Sequence, residues 1–187
     1  MKIGVLALQG DFIEHELMVR RLGVEIIEVR LPRDLDGLDG VIMPGGESTT
    51  FAKLAVRFDL MDPLRQFAKR GNAVWGTCAG LIFLAKDIGR DQPTLGLMDL
   101  KVKRNAFGRQ VDSFTTDLNL PAIGDGPFPG VFIRAPIIES VGPDVQTLCQ
   151  LDDGTIVAAR QGNMLVTSFH PELTEDTRVH AYFLSMA

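Results

Sequence analysis

The sequence predicts an α/β fold in which a central, mostly parallel sheet is flanked by helices. Apolar, β-rich runs alternate with segments of helical spacing, and the first three, Lys2 to Leu8, Phe12 to Leu22 and Val24 to Val29, form a βαβ unit. Strands that alternate with helices build parallel sheets covered on both faces. With 187 residues and 45% apolar content, the chain can bury one substantial core, so we expect a single domain over residues 1–187.

Two more strands are each followed by a helical pattern. The third strand, Gly40 to Met43, ends at a Pro-Gly-Gly sequence, and the helical stretch Thr49 to Val56 comes next. The fourth, Ala73 to Trp75, ends at a glycine and precedes the helical stretch Ala79 to Lys86. Ligand crevices form at the carboxyl ends of such strands, so the turns after them are candidate sites.

From about Leu95 onward, the pattern changes to short strands separated by turn signals. Asp153-Gly154 and Gly162-Asn163 are typical of β-hairpins. Four glycines and three prolines predict a long surface loop from Gly108 to Gly130, and Thr174 to Met186 predicts a closing helix that begins with a capping threonine. The strands predicted here are Leu100 to Arg104, Val131 to Ala135, Ile137 to Val141, Val145 to Leu151, Thr155 to Arg160 and Met164 to Phe169.

Charge and composition exclude several classes of partner. Nineteen basic and 24 acidic residues give a net charge of −5 without a dense basic stripe, so we expect no nucleic-acid partner. The apolar run Ile3 to Leu8 is too short to span a bilayer and lacks a signal-peptide pattern, so we expect a cytoplasmic protein without membrane contact. In a reducing compartment, Cys78 and Cys149 are not expected to form a disulfide.

The segment Gly76-Thr77-Cys78-Ala79-Gly80 follows an apolar strand and opens a helix, which is the layout of a nucleophile elbow. A nucleophile on such a turn has a strained backbone, so the residues two before and two after it must be small, as these glycines are. The positive end of the helix would favour the thiolate, and the Ala79 amide would bind a developing oxyanion. We interpret Cys149 as an ordinary buried cysteine.

A cysteine nucleophile needs a base, and His170-Pro171-Glu172 follows the predicted strand Met164 to Phe169. Residues two apart on an extended chain point to the same side. Glu172 could therefore hold the His170 imidazole in the tautomer that accepts the Cys78 proton. The sequence predicts a catalytic triad of these three residues.

The turn Pro44-Gly45-Gly46-Glu47-Ser48 ends the third predicted strand. Its glycines allow the backbone to approach a substrate closely, and a Gly46 amide facing that of Ala79 would complete an oxyanion hole with two donors. The turn could also be a simple strand-to-helix connection with Ser48 as the helix cap, and the two roles are compatible.

Six sequence blocks, spread from the first strand to the last helix, carry a family resemblance. With the Cys78 elbow and the distant His-Pro-Glu, they resemble the class I, or triad, glutamine amidotransferases. Within that class, the chain is most similar to the glutaminase subunits of pyridoxal 5′-phosphate synthase. The blocks are Ile3 to Asp11 with Glu14-His15 behind it, Gly45 to Thr50, Gly76 to Leu81, Arg104 to Gln110, Val131 to Pro136, and Gln161-Gly162-Asn163 leading into Ser168 to Leu173.

The resemblance implies a flavodoxin-like, three-layer α/β fold of the class I glutamine amidotransferase type. It implies hydrolysis of L-glutamine to L-glutamate and ammonia through a thioester on Cys78, with the ammonia passing to a barrel-shaped synthase subunit. It implies neither a cofactor nor a metal on this subunit. The residues that it assigns to glutamine binding are Gly46, Glu47, Ser48, Arg104, Ile133 and Arg134.

The binding assignment agrees in part with elementary chemistry. The carboxylate of an α-amino acid needs a cationic or amide site, which Arg104 could supply. From its position beside a long predicted loop alone, Arg104 could equally point to solvent. His15 and His180 lie in helical patterns flanked by charges, and we predict that both are mainly exposed.

A regulatory hypothesis follows from the glycine-rich turn. A peptide between Gly45 and Gly46 flips with little steric penalty, so an oxyanion donor could stay misdirected until a partner docks. Gln9, at the carboxyl end of the first strand, is a candidate to relay that docking, although it could equally be a plain turn residue.

Three alternative functions remain at this stage. One is the glutaminase of another class I enzyme, such as imidazole glycerol phosphate synthase, against which the Ile3 to Asp11 and Arg104 to Gln110 blocks argue. A second is a non-catalytic binding module, which would be expected to lose a triad residue, whereas all three are present. A third is a stand-alone cysteine hydrolase on a related fold. Glutamine turnover with and without a synthase would separate them.

Overall fold

A ten-stranded sheet forms the centre of the structure, a computed structural model that describes residues 1–104 and 113–187. The strands of the described residues are β1 (Lys2–Leu6), β2 (Glu25–Val29), β3 (Gly40–Met43), β4 (Ala73–Thr77), β5 (Ala85–Asp87), β6 (Met98–Lys103), β7 (Ser113–Leu118), β8 (Phe128–Ile133), β9 (Ile137–Val141), β10 (Gln146–Gln150), β11 (Ile156–Gln161) and β12 (Met164–Thr167). The α-helices are α1 (Phe12–Arg21), α2 (Ser48–Arg57), α3 (Met61–Lys69), α4 (Ala79–Leu84) and α5 (Arg178–Leu184).

Among the described residues, five adjacent strands form the main parallel part of the sheet, and β5 pairs parallel with β6 at its far edge. The five lie side by side in the order β2, β1, β3, β4 and β12, and each pair is parallel. This is the flavodoxin-like order, in which the topological switch between β1 and β3 leaves a crevice at the carboxyl ends of the strands. Beyond β12 the sheet continues through antiparallel pairs of β11, β9 and β6. The predicted fold class is confirmed.

Both faces of the sheet are buried, which gives the three layers. On one face, Val5 and Ile42 pack in a core with residues of α1 and α5. On the other, their neighbours Leu6 and Met43 pack with residues of α2, α3 and α4. Successive strand residues point to opposite faces, so near-continuous apolar strands are what a doubly covered sheet requires.

The strand β7 corrects the prediction of a long loop from Gly108 to Gly130. β7 pairs antiparallel with β8, from Ser113 opposite Ile133 to Leu118 opposite Phe128, and the two form a separate two-stranded sheet. Most of the glycines and prolines that suggested a loop lie between these strands or at their ends. Residues 105–112, which include most of one resemblance block and the start of that predicted loop, lie outside the described residues.

The end of the chain also differs from its prediction. The helix α5 begins at Arg178 rather than at Thr174. The Thr174 hydroxyl donates to the carbonyl of Pro171 at 2.9 Å and accepts from the Asp176 amide at 3.2 Å, so it closes a turn instead of capping a helix. The predicted hairpins β10–β11 and β11–β12 are confirmed as antiparallel pairs. Within the described residues, no helix is long and apolar enough to cross a bilayer.

Candidate active site

Cys78 lies at the sharp turn between β4 and α4, in a backbone conformation that non-glycine residues rarely adopt. Its φ is 47° and its ψ is −97°. Such strain persists only where the surrounding structure enforces it, and it is typical of functional positions. The conformation is the one expected for a nucleophile elbow, with a nearly buried side chain that lines a cavity at the sheet edge.

The two glycines beside the elbow are required by space. A Cβ on Gly76 would lie 2.5 Å from the backbone of Gly80, and a Cβ on Gly80 would collide with the carbonyl oxygen of Met43. Neither obstacle is a flexible side chain that could move aside. The sequence-based reason for small residues at these positions is therefore confirmed.

His170 and Glu172 form a tight buried pair behind the cysteine. Nδ1 of His170 lies 2.7 Å from Oε1 of Glu172, and the side chain of Glu172 has no solvent exposure. The short 3-10 helix Pro171–Leu173 brings both side chains to the same side of the chain. The other ring nitrogen, Nε2, has no hydrogen-bond partner among the described residues and remains available for the nucleophile.

The surroundings of this pair favour the protonated form of the His170 imidazole. Burial of His170 disfavours its charged form, but the contacts with Cys78 and Glu172 outweigh burial and raise the pKa of His170 to about 10. Burial raises the pKa of Glu172, and the neighbouring His170 opposes that rise. The Cys78 contact falls short of a hydrogen bond in this resting arrangement, as is common before substrate binds.

A cavity of about 380 Å³ opens over the cysteine and collects the predicted site residues. Ten site residues were predicted, and nine of them line the cavity. The exception is Glu172, which lies buried behind His170. Asp11, Ile82 and Pro136 also line the cavity and were not predicted. The predicted residues at its wall are Gly46, Glu47, Ser48, Cys78, Ala79, Arg104, Ile133, Arg134 and His170.

Glu47, rather than Ser48, caps the helix α2. Its carboxylate accepts from the backbone amides of Thr49 at 3.1 Å and Thr50 at 2.7 Å. Burial alone would raise the pKa of Glu47, but these amide hydrogen bonds lower it to about 2. Ser48 is the first residue of the helix, so its predicted role as the cap is wrong, and its buried hydroxyl has no partner among the described residues.

Arg104 points into the site instead of to solvent. Its guanidinium lies 3.5 Å from Oε1 of Glu47 and 3.3 Å from Oε1 of Gln92, and the side chain is 22% exposed. A guanidinium held at a cavity wall can bind a substrate carboxylate with two parallel hydrogen bonds. On the opposite wall, Arg134 follows β8 with a φ of 42°, another strained conformation.

The glycine-rich turn is tied to the end of β1. The carbonyl of Gly45 accepts from the Asp11 amide at 3.3 Å, and Oε1 of Gln9 accepts from the Glu47 amide at 3.1 Å. Gly46 has a φ of 139°, and a Cβ there would lie 2.6 Å from the Gln9 side chain. The position of the proposed oxyanion loop is thus set by Gln9 and Asp11, in the turn that follows the first strand.

Asp11 adds a second carboxylate beside His170. Its Oδ2 lies 3.5 Å from Nδ1 of His170, and Asp11, His170 and Glu172 could together hold a metal ion, with ligand atoms within 4.8 Å of one another. A metal would have to replace the direct 2.7 Å contact between His170 and Glu172. We interpret the cluster as a hydrogen-bonded pair with a nearby acid. The expected absence of a metal and a cofactor stays a prediction.

The prediction that His15 and His180 are mainly exposed is wrong, because both are fully buried. Nδ1 of His15 lies 3.0 Å from Nε2 of His180, and both rings pack against Trp75. Their helices α1 and α5 cover the same face of the sheet, and the histidines point inward. Neighbouring charges in the sequence gave no sign of this.

Comparison with known proteins shows the family of the chain. The sequence pattern of the SNO glutamine amidotransferase family matches residues 5–187. The chain belongs to this family. A solved structure described as a glutamine amidotransferase is 51% identical, has a TM-score of 0.94, and aligns over 98% of this chain and 97% of that one.

Two curated relatives give a closer comparison within the family. The chain is 59% identical to pyridoxal 5′-phosphate synthase subunit PdxT of Herpetosiphon aurantiacus, over 100% of both chains. It is 56% identical to the protein of the same name from Moorella thermoacetica, over 100% of this chain and 99% of the relative. A solved structure of a putative GMP synthase component from Thermoplasma acidophilum, 19% identical with a TM-score of 0.72 over 100% of this chain and 93% of that one, shares the fold alone.

Proposed function

We propose that this chain is the glutaminase subunit of a pyridoxal 5′-phosphate synthase, with Cys78, His170 and Glu172 as its catalytic triad. It hydrolyses L-glutamine to L-glutamate and ammonia, and it supplies the ammonia to the synthase subunit. The main support for the triad is the 2.7 Å contact between His170 and the buried Glu172. This pair lies beside Cys78, whose backbone is strained. The full-length similarity to PdxT subunits supports the partner.

In the first half of the reaction, the sulfur of Cys78 attacks the side-chain amide carbon of glutamine. The carbonyl oxygen gains the electron pair, and the amides of Ala79 and Gly46 stabilise the oxyanion. His170 takes the thiol proton and gives it to the leaving nitrogen, so ammonia departs and a thioester remains on Cys78. Glu172 stabilises the charged imidazole throughout.

In the second half, water resolves the thioester. His170 accepts a proton from the attacking water, the same oxyanion hole holds the second tetrahedral intermediate, and the returning proton restores the Cys78 thiol. Glutamate then leaves. Each step uses groups that line the cavity or lie directly behind it.

The α-amino and α-carboxyl groups of glutamine fit the rest of the cavity. Arg104 supplies a guanidinium for the carboxylate, and the carboxylate of Glu47 can accept from the ammonium. Ser48 adds a buried hydroxyl that has no partner among the described residues. Ile133 and Arg134 form the opposite wall, which limits how far the substrate can move.

We also propose that the chain is a single domain and that it is located in the cytoplasm. We treat residues 1–187 as one glutaminase domain, because β1 to β6, β9, β10, β11 and β12 belong to one sheet. We place it in the cytoplasm, where a reducing environment suits the free thiols of Cys78 and Cys149.

The test is glutamate release by the purified chain, measured alone, with the synthase subunit of a pyridoxal 5′-phosphate synthase, and with the barrel subunit of imidazole glycerol phosphate synthase. We expect turnover with the first partner and none above background with the second. The Cys78→Ser variant should be inactive, and Cys149→Ser should keep full activity. Equal turnover with either partner would contradict the assigned partner, and an active Cys78→Ser would contradict the triad.

A further inference from the structure

A line of buried polar side chains continues from the triad into the core behind it. Oε1 of Glu172 contacts His170, and Oε2 lies 3.5 Å from Nε2 of His15. Nδ1 of His15 lies 3.0 Å from Nε2 of His180 at the far end. The side chains of His15 and Glu172 have no solvent exposure, so water cannot replace any of these contacts.

The carboxylate oxygen that faces His15 has no conventional hydrogen bond among the described residues. A buried carboxylate oxygen without a donor is costly, because burial removes the water that would otherwise bind it. Nε2 of His15 is the ring nitrogen aimed at this region. It lies 3.2 Å from the hydroxyl of Thr77 and 3.5 Å from Oε2 of Glu172, so a proton on Nε2 would be shared between the two oxygens.

Burial favours the neutral form of both histidines, in which each ring carries one N–H. Burial lowers the pKa of His15 well below its ordinary value, and burial lowers that of His180 to about 3. With a proton on Nε2 of both rings, His180 donates to Nδ1 of His15, and His15 donates towards Glu172. Only an acceptor, Nδ1 of His180, is then left without a partner among the described residues.

The other tautomer is worse on two counts. If Nδ1 of His15 carried the proton, Nε2 could only accept, from the Thr77 hydroxyl at 3.2 Å, and Oε2 of Glu172 would face a lone pair at 3.5 Å with no donor among the described residues. The proton of His180 would then lie on Nδ1, a buried donor without an acceptor among the described residues. The arrangement of the two rings therefore favours a proton on Nε2 of His15.

We propose that His15 is a positioning residue for the triad, whose Nε2–H holds the outer oxygen of Glu172 and so fixes the carboxylate against His170. The inference rests on the proposed role of Glu172. With one oxygen held by each histidine, the carboxylate cannot rotate about its last bond, and its orienting contact with His170 is kept while that ring gains and loses a proton.

One test needs no substitution. In the full chain with ¹⁵N-labelled histidine, the nitrogen chemical shifts of each ring identify which nitrogen carries the proton. We expect a proton on Nε2 of both His15 and His180. A proton on Nδ1 of His15 would overturn the proposal, because the lone pair would then face Glu172.

A second test separates positioning from packing, in the presence of the synthase subunit. His15→Phe keeps the ring volume but removes the donor, and we expect kcat to fall about 10- to 100-fold at nearly constant KM. His15→Gln, whose amide can reach the same oxygen, should regain most of the loss. The matched control is Thr167→Val, which removes a buried hydrogen bond to Trp75 at 3.3 Å and should leave kcat unchanged.

The outcomes also separate this inference from the proposed function. If His15→Phe turns over as fast as Thr167→Val while Glu172→Gln is inactive, the triad stands and the role of His15 is overturned. If Glu172→Gln is itself fully active, the proposed triad fails. Should His15→Phe not fold, the tautomer measurement on the unsubstituted chain decides the question.

Discussion

Gly45 and His170 lie so close together that no side chain fits between them. A Cβ on Gly45 would come within 2.5 Å of Cε1 and 3.0 Å of Nδ1 of the imidazole. Glycine is thus required here by the space that the imidazole of His170, the proposed catalytic base, occupies. The glycine-rich turn after β3 therefore packs directly against the His-Pro-Glu segment after β12.

We predict that Gly45→Ala lowers kcat by about 10²-fold, because the added methyl group displaces the His170 ring, and a displacement of about 1 Å is enough for such a loss. Steady-state kinetics with the synthase present measure it. Gly154→Ala is the control, since Gly154 has a φ of 84° and open space around it far from the site. That variant should lose stability but keep kcat. Equal kcat in both variants would contradict the steric argument.

Arg104→Ala should raise KM for glutamine more than it lowers kcat. A contact to the substrate carboxylate is made equally in the ground state and the transition state, so its loss weakens binding without slowing the chemistry. Arg104→Lys keeps the charge but not the planar pair of donors, and we expect an intermediate KM. A fall in kcat at constant KM would remove Arg104 from the binding site.

The buried histidines should make stability depend on pH. Burial keeps the pKa of His180 at about 3 in the folded chain, whereas an unfolded histidine titrates at about 6.5. Between these values the unfolded state binds a proton that the folded state does not. The free energy of unfolding therefore increases as the pH rises and decreases as the pH falls. His180→Phe should therefore weaken this dependence by about 1 kcal/mol per pH unit near pH 5.5.

Urea denaturation at pH 7, 6 and 5 measures this difference. The raised pKa of His170 affects stability mainly above pH 6.5, and His170 and Glu172 are both present in both proteins, so their contributions cancel in the comparison. Comparing the variant with the unsubstituted chain thus isolates His180. Identical pH dependences would show that His180 already titrates normally in the folded chain.

Docking of the synthase should activate the chain through the turn after β3. Gln9 binds the Glu47 amide at 3.1 Å, so a movement at the end of β1 would reach Gly46 directly. One missing oxyanion donor costs about 10²- to 10³-fold in turnover, which sets the expected activation. Glutamate release should rise by this amount on titration with synthase, and Gln9→Ala should respond less. Constant activity would contradict the switch, and full activation of Gln9→Ala would contradict the relay.

The sequence predicted the parallel half of the fold, and it singled out residues that the structure brings together around one cavity, because both follow local rules. An apolar run followed by glycines is enough to predict strand Gly40–Met43 and the turn after it. The Cys78 elbow is recognisable because the sharp turn requires a glycine on either side of it. The sequence predicted that the side chains of His170 and Glu172 meet, and they do, but through the short 3-10 helix Pro171–Leu173 rather than the extended chain assumed from their spacing.

What the sequence missed depends on contacts between distant segments. Strand Ser113–Leu118 is stabilised by pairing with β8, which glycine and proline counts do not reveal. His15 is buried because α1 packs beside α5 and brings it to His180, 165 residues away. Asp11 could have been found, since it follows the end of the first strand, where ligand crevices form in this fold.

The central claim is that Cys78 is the nucleophile, and the thioester itself is the most direct evidence to seek. The measurement is an acid quench of the chain and its synthase during glutamine turnover, followed by peptide mass spectrometry. We predict a glutamyl adduct on the peptide that contains Cys78 and none on that of Cys149, whose thiol pKa burial raises to about 11. An adduct on Cys149, or turnover without any adduct in a Cys78→Ala chain, would contradict the account.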